Sequence, residues 1–261
     1  MSRETESCIA RMTSPEFKEA VAGKGLVILP VASVEQTGSH CPLGTDLIVA
    51  SRVGAALAAK VGCLAAPAIP YGDTQELDFW PGTVDIPPEV LGPYAEAAAR
   101  SFLKSGALGL AFLCTHSLNM KSIDLACRRL YRDGLRACAI DWWKAAGQAA
   151  KGETSSEEPF GHGGEVITSV MMAVAPDLVR LEAARDEASL PGLAYALGHM
   201  PGAPFVAYGD FRQYCRSGAW GEVSRSASAE KGRRWLERGI LDCASFLKEW
   251  MDLGARSDAP A

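Results

Sequence analysis

Short apolar runs recur along the chain, and longer segments of mixed polarity separate them. Four such runs cover residues 26–31, 63–69, 107–115 and 135–140. Apolar runs of this length that end at polar turn residues are typical of strands buried on both faces. The intervening segments have helical periodicity, so strands should alternate with helices. This alternation predicts an α/β fold with a mostly parallel sheet that is covered on both faces.

The segments between the runs carry helix start and stop signals. We predict helices at 46–61, 87–104, 120–132, 166–175 and 228–253, and a short strand at 205–208. Residues 1–24 are predicted to form a helical lead-in that starts near Ser14, because proline is tolerated in a first helical turn. Residues 144–160 are small, polar and charged, which predicts an exposed, mobile excursion. Residues 254–261 are predicted to be disordered.

Composition favours one globular domain and excludes several classes of partner. The chain has 261 residues, of which 48% are hydrophobic and 22% charged. A chain of this length buries a large core, so we expect a single domain over 1–261. The net charge of −5 argues against a general nucleic-acid or anionic-membrane surface. No apolar run reaches the roughly 18 residues that a membrane helix needs.

Cysteine usage indicates the redox environment. None of the eight cysteines forms a C-x-x-C pair, and several lie inside apolar runs. We therefore expect free thiols that pack as small hydrophobes in a reducing compartment. The N-terminal stretch has no apolar core of the signal-peptide type. Together these features predict a cytoplasmic protein.

Potential metal ligands cluster where the first apolar run ends. Glu35, His40 and Asp46 follow that run in quick succession. Carboxylate oxygens and an imidazole nitrogen are the donors that divalent cations such as zinc or manganese accept. Thr45 is the predicted N-cap of the next helix, which places Asp46 in its first turn.

Two more histidines lie at comparable positions. His116 follows the third apolar run, and His162 lies in a glycine-rich turn before a predicted helix. In parallel sheets, ligands bind beyond the carboxyl ends of the strands. Glu35, His116 and His162 are therefore expected to open onto one site.

Several motifs resemble one known family. Residues 29–46 read LPVASVEQTGSHCPLGTD, which resembles the signature L-P-x-G-S-x-E-Q-H-G-P-H-L-P-L-x-T-D of the creatininase (creatinine amidohydrolase) family. Four further segments, 71–83, 114–119, 161–169 and 219–234, resemble family patterns in the same order. The resemblance implies a three-layer α/β sandwich that hydrolyses a small amide, often a cyclic one. It also implies a homohexamer.

The resemblance further implies a ligand set. One family metal takes the positions of Glu35, Asp46 and His116. The other takes Asp46 and two positions that are Thr37 and Ile167 here, in place of the usual histidine and glutamate. Leu77 also stands where the family carries a histidine. The hypothesis is therefore a site for one divalent metal, either zinc or manganese, bound by Glu35, Asp46 and His116.

Catalytic roles follow from the same resemblance. His162 matches the family histidine that handles protons, and an imidazole titrates near neutrality. Glu165 could hold the substrate or orient His162, and a role at the helix N-terminus is the alternative.

Other polar residues near the site are given structural roles. We expect His40 to orient Glu35 or its loop rather than bind metal. His199 is expected to be a surface histidine. Cys41 and Cys114 are expected to pack rather than supply thiolates.

Three functions remain open from the sequence. The first is metal-dependent hydrolysis of a small amide. The second keeps the metal and cleaves a C–C bond of a cyclic diketone or opens a lactone. The third is a non-catalytic binding or assembly subunit, because the family motifs have lost several residues.

Overall fold

The sheet is small and entirely parallel in the part of the chain that is described. The computed structural model describes residues 7–189, 211–213 and 215–257. The strands are β1 (Leu26–Val31), β2 (Leu64–Ala65), β3 (Gly109–Cys114) and β4 (Ala137–Asp141), in the order β2-β1-β3-β4. Every neighbouring pair is parallel. The predicted α/β fold with a parallel sheet is confirmed.

Helices alternate with the strands and continue after the last strand. They are α1 (Ser14–Lys24), α2 (Thr45–Val61), α3 (Pro88–Lys104), α4 (Asn119–Arg132), α5 (Trp142–Ala150), α6 (Glu165–Val174), α7 (Val223–Ser226) and α8 (Ala229–Ser257). Short 3-10 turns lie at Ile9–Arg11, Gln75–Leu77, Pro176–Leu178, Leu181–Ala183 and Phe211–Gln213. No helix among the described residues is long and apolar enough to cross a membrane.

Two hydrophobic clusters cover the two faces of the sheet. Alternate residues of β1 point to opposite faces, because successive side chains of a strand alternate. Leu26 and Ile28 join the cluster formed with α2, α5, α6 and α8. Val27 and Leu29 join the cluster formed with α1, α3 and α4. The result is the predicted three-layer sandwich.

Strand register brings two functional segments to the same edge. Leu26 pairs with Gly109, and Val31 pairs with Cys114. Since β1 and β3 end side by side, the residues that follow them emerge next to each other. The segments that carry Glu35 and His116 therefore meet beyond the carboxyl ends of the central strands.

Helix ends largely follow the sequence signals. Thr13 and Glu16 form a capping box at the start of α1, and Gly25 ends it in the left-handed conformation. The prediction that Thr45 is the N-cap of α2 is wrong by one residue. Gly44 occupies the cap position, and the Thr45 hydroxyl donates to the carbonyl oxygen of Pro42 at 2.7 Å.

The predicted exposed excursion at 144–160 is wrong for residues 144–150. Its first part is helix α5, whose small residues pack against α8. At Gly239 of α8, an added Cβ would lie 3.1 Å from the Trp142 ring, so the two helices are in close contact. Small residues that looked like linker composition instead permit this close approach.

Other element boundaries differ in detail. Helix α8 continues to Ser257, beyond its predicted end at Leu253, so only 258–261 of the predicted tail lie outside the described residues. The predicted strand at 205–208 and His199 also lie outside them.

Candidate metal centre

Three side chains from separate elements converge at the carboxyl end of the sheet. Glu35 lies in the loop after β1, Asp46 in the first turn of α2, and His116 directly after β3. All three are buried, and their potential ligand atoms lie within 4.8 Å of one another. His116 Nδ1 is 3.0 Å from Glu35 Oε1 and 3.3 Å from Asp46 Oδ2. The structure thus brings together the three residues that were predicted from the sequence as metal ligands.

The His116 ring is fixed by a hydrogen bond on its far side. Its Nε2 lies 2.6 Å from the carbonyl oxygen of Asp73, so Nε2 carries the proton and donates it there. The loop that supplies this carbonyl is held by Asn119, whose Oδ1 accepts from the Asp73 amide at 2.9 Å. Nδ1 is therefore the nitrogen directed at the two carboxylates. Metal-binding histidines are commonly oriented in this way.

The Asp46 carboxylate is held by two donors. Ser33 Oγ donates to Oδ2 at 2.8 Å, and Trp143 Nε1 donates to Oδ1 at 2.9 Å. The backbone of Asp46 is also fixed, because the Thr115 hydroxyl donates to its carbonyl oxygen at 3.0 Å. Burial raises the pKa of Asp46, and the negative charge of Glu35 adds to this effect.

Glu35 differs from Asp46 because one of its oxygens has no partner. Oε2 is buried and accepts no hydrogen bond from any described residue. Burial alone would raise the pKa of Glu35, but the nearby imidazoles of His116 and His162 outweigh it and lower the pKa to about 2. The carboxylate is thus ionised, buried and incompletely paired, a costly arrangement unless a cation is bound.

These observations fit a divalent cation. The donor set combines two carboxylates with one imidazole, the partially filled coordination that catalytic zinc sites use. Burial lowers the pKa of the His116 imidazole, yet the adjacent carboxylates more than reverse this and hold it well above its ordinary value. The two negative charges beside His116 therefore attract positive charge strongly at this point.

His162 approaches the same carboxylate from another side. Its Nε2 is 3.2 Å from Glu35 Oε1, and its Nδ1 is 2.6 Å from the carbonyl oxygen of Gly218. Gly218 has φ of +75°, and an added Cβ would clash with Gln36, so this turn requires glycine. Burial would lower the pKa of His162, but Glu35 raises it above the ordinary value.

Glu165 lies apart from the three clustered residues. It is fully buried at the start of α6, where it accepts hydrogen bonds from the backbone amides of Ser155 and Ser156 at 2.8 Å. Lys231 of α8 forms an ion pair with it at 2.6 Å. It does not line the cavity described below. The side chain thus ties the 155–156 backbone and α8 to the start of α6.

A cavity of about 500 Å³ opens onto the clustered residues. Its polar lining includes Glu35, Asp46, His116 and His162. The apolar walls come from Leu77, Leu118, Trp143, Phe160, Ile167 and Trp220. This size and mixture of surfaces suit a small-molecule ligand.

Ile167 and Thr37 stand at the two positions where the family pattern has further ligands for a second metal. Ile167 presents an apolar side chain to the cavity. Thr37 is buried, and its hydroxyl lies 3.4 Å from the carbonyl oxygen of Glu35. Neither position therefore offers the imidazole or carboxylate of the family pattern.

His40 and the neighbouring cysteines have structural surroundings. His40 Nε2 contacts Thr168 Oγ1 at 2.8 Å and the Gly163 carbonyl oxygen at 3.1 Å, which ties its loop to α6. It therefore orients the 161–168 segment rather than Glu35. Burial raises the pKa of the Cys41 thiol to about 11, and Cys114 is buried in the α1, α3 and α4 cluster. All eight cysteines are free, as predicted.

Sequence reasoning missed several contributors to the site. Trp143 is a strand-end tryptophan that could be either core or cavity wall by sequence, and its donation to Asp46 Oδ1 at 2.9 Å was not predicted. Lys144 and Phe160 lay in the supposed mobile excursion, yet both line the cavity. Glu76 also lines it, and burial raises its pKa to about 7. The only sequence signal for the cavity lining at Lys144, Gln148 and Lys151 was their helical spacing.

Fold and site together define a class: a parallel α/β protein with a buried carboxylate–imidazole cluster suited to a divalent metal. Residues 10–247 match the model of the creatininase (creatinine amidohydrolase) family. The chain belongs to that family.

Three relatives of known activity span most of the chain. Creatinine amidohydrolase of Pseudomonas putida is 28% identical over 92% of this chain and 96% of its own length. The mycofactocin precursor peptide peptidase of Mycobacterium ulcerans is 30% identical over 86% of this chain and 85% of its own. The 3-dehydro-scyllo-inosose hydrolase of Thermotoga maritima is 27% identical over 93% of this chain and 82% of its own length. All three are hydrolases by name.

Solved structures agree with the fold. A manganese creatininase superposes with a TM-score of 0.74 at 25% identity, over 93% of this chain and 98% of that one. A mutant creatininase of the Zn-Zn type has a TM-score of 0.74 at 26% identity, over 93% of this chain and 97% of that one.

Proposed function

We propose that this protein is a metal-dependent amidohydrolase that cleaves a C–N bond of a small amide, cyclic or linear. Glu35, Asp46 and His116 hold one divalent cation, zinc or manganese, and His162 transfers protons. The observation that carries the proposal is the buried Oε2 of Glu35, which has no hydrogen-bond partner among residues 7–189, 211–213 and 215–257 and lies beside Asp46 and His116 at the cavity.

The chemistry divides between the cation and the chain. A divalent cation, when bound, lowers the pKa of water toward about 7 and polarises a carbonyl group. Gly218 keeps the proton of His162 on Nδ1, which leaves Nε2 directed at Glu35 and the cavity. When the imidazole is neutral, Nε2 can accept a proton from water, and the imidazolium that Glu35 stabilises can then deliver it to the leaving nitrogen.

Three features support one cation rather than two. Ile167 offers no ligand atom, and Thr37 directs its hydroxyl at a backbone carbonyl. Trp143 donates its indole N–H to Asp46 Oδ1 at 2.9 Å, which competes with a second metal for that oxygen. Elemental analysis of the purified protein should give one metal per chain, and two would contradict this part of the proposal.

The activity is tested with a panel of lactams, N-formyl compounds and small linear amides. Turnover should disappear with a chelator and return with Zn²⁺ or Mn²⁺. His162→Asn should lower kcat/KM by about 10²–10⁴-fold while the metal content stays unchanged, because loss of a general acid/base has effects of this size. No turnover of any amide by the metal-loaded protein would overturn the proposal.

A second candidate reaction has specific support. The relative named for 3-dehydro-scyllo-inosose acts on a substrate that is not an amide. The same cluster could open a C–C bond or a lactone, since polarisation of a carbonyl serves these reactions as well. Cyclic diketones and lactones therefore belong in the same panel, and turnover of these alone would favour the second reaction.

We also propose that the chain forms one domain and assembles as a homohexamer in the cytoplasm. Light scattering of the purified protein measures the assembly directly. A monomer at micromolar concentration would contradict it.

A further inference from the structure

One wall of the cavity is chemically unlike the acidic floor. Helix α5 supplies Lys144, Gly147 and Gln148, and Lys151 follows at its C-terminal end. Spacings of three and four residues place side chains on one helical face. This α5 strip contains two cations and an amide but no acid.

An aromatic ring lies on the middle of the α5 strip. A Cβ added at Gly147 would come within 3.2 Å of the Phe160 ring, so the ring rests against the helix where the side chain is missing. Lys144 and Lys151 lie one turn before and after Gly147. Phe160 is nevertheless 54% exposed. An exposed aromatic ring between two lysines is a surface suited to an apolar ligand with negative charge.

The two lysines are not equally neutralised by the protein. Lys144 Nζ lies 3.4 Å from Asp141 Oδ2, and Ser117 also binds that carboxylate. No described acidic residue pairs with Lys151. Its charge therefore remains available to a ligand in the cavity.

The geometry of α5 sets the distance from the clustered carboxylates to the far end of the strip. Trp143, which contacts Asp46, lies directly before Lys144. Eight residues of helical rise separate Trp143 from Lys151, about 12 Å along the helix axis. A ligand that spans the cavity could thus place one end at the acids and His162 and its other end at Lys151.

We propose that the substrate is an acidic amide whose apolar part packs on Phe160 and whose carboxylate binds Lys151, with Lys144 adding to the positive charge of the same wall. This inference rests on the proposed function only in taking this cavity as the substrate pocket. It makes the α5 strip a specificity surface, distinct from the groups that act on the scissile bond.

The test compares two probes of the same shape and different charge. 4-Phenylbutanoate and 4-phenylbutanamide are titrated calorimetrically into the metal-loaded wild type. The carboxylate should bind at least about tenfold more tightly, because hydrogen bonds between charged partners contribute about this much. Lys144→Met/Lys151→Met should remove the preference, and Lys144→Arg/Lys151→Arg should keep it. Phe160→Ala should weaken both probes about fivefold.

A matched control has the same change in charge. Lys60→Met/Lys104→Met alters two exposed lysines outside the cavity and should leave both affinities unchanged. Equal affinity of the two probes for the wild type, or no binding of either, would overturn the inference. So would a carboxylate preference that persists in Lys144→Met/Lys151→Met, because the carboxylate would then be bound at the metal centre.

Binding needs no turnover, so the two proposals fail separately. A protein that prefers the carboxylate but hydrolyses no amide contradicts only the proposed reaction. A hydrolase that binds both probes equally contradicts only the acidic substrate.

Discussion

Glu35 and Glu165 are both buried glutamates, but their surroundings are opposite. Glu165 has backbone amides and Lys231 on its oxygens. Glu35 has both of its imidazole contacts on Oε1, and no residue in the described part of the chain hydrogen-bonds to Oε2. A buried carboxylate with saturated oxygens holds structure together, whereas one with an unpartnered oxygen is suited to bind something the chain does not supply.

Glu35→Gln gives the largest expected effect. The amide removes one of two negative ligands, so metal content should fall below about one tenth of the wild-type value, with kcat/KM at least about 10³-fold lower. Elemental analysis and assay of the same preparation measure both quantities. Retention of stoichiometric metal would break the contrast with Glu165.

Glu165→Gln should destabilise the fold and leave metal binding intact. Removing the charge leaves Lys231 without its partner at a mostly buried position, which should lower the free energy of unfolding by about 2–3 kcal/mol. Metal content should stay the same. Glu230→Gln, which breaks an exposed pair with Arg234, is the control and should cost under about 0.5 kcal/mol. Metal loss without destabilisation would contradict a structural role for Glu165.

The pH dependence of metal binding should be the next effect in size. The Glu35 and Asp46 carboxylates offset burial and raise the pKa of His116, so its Nδ1 carries a proton at neutral pH in the metal-free protein. A metal must displace that proton, so affinity rises as pH increases. The Kd for Mn²⁺ should fall about tenfold per pH unit below the raised pKa. Calorimetry in buffers of different ionisation enthalpy counts the released proton, and a Kd independent of pH would contradict this.

Trp143→Phe should have the smallest effect. The indole N–H orients Asp46 without reaching the metal position, so its loss should weaken Mn²⁺ binding about tenfold, as at other outer-shell contacts. Trp250→Phe changes a tryptophan that stacks on Arg136 and should leave the affinity unchanged. An unchanged affinity in Trp143→Phe would show that Ser33 alone positions Asp46.

Features that depend on local patterning could be predicted from the sequence. Apolar runs located the parallel strands, and the position of Glu35 and His116 after two of them predicted their meeting. The fate of residues 144–160 could not be predicted in this way. Their small side chains suit either a linker or a close helix contact, and only the packing of α8 decides between these. The hydrogen bond from the Trp143 indole to Asp46 depends on the same packing of α8 against α5.

The distinction between Glu35 and Glu165 was equally hidden in the sequence. Glu35 lies five residues before His40 and Glu165 three residues after His162, so each is a glutamate near a histidine and neither local pattern reveals the partners of its carboxylate. What separates them is the distant Lys231, which tertiary packing delivers to Glu165 and not to Glu35.

We propose above all that Glu35, Asp46 and His116 bind one divalent metal. Elemental analysis of the wild type beside His116→Ala tests it most directly. We expect one zinc or manganese per wild-type chain and less than about one tenth of that in the variant. Wild type without stoichiometric metal, or equal metal in both proteins, would contradict it.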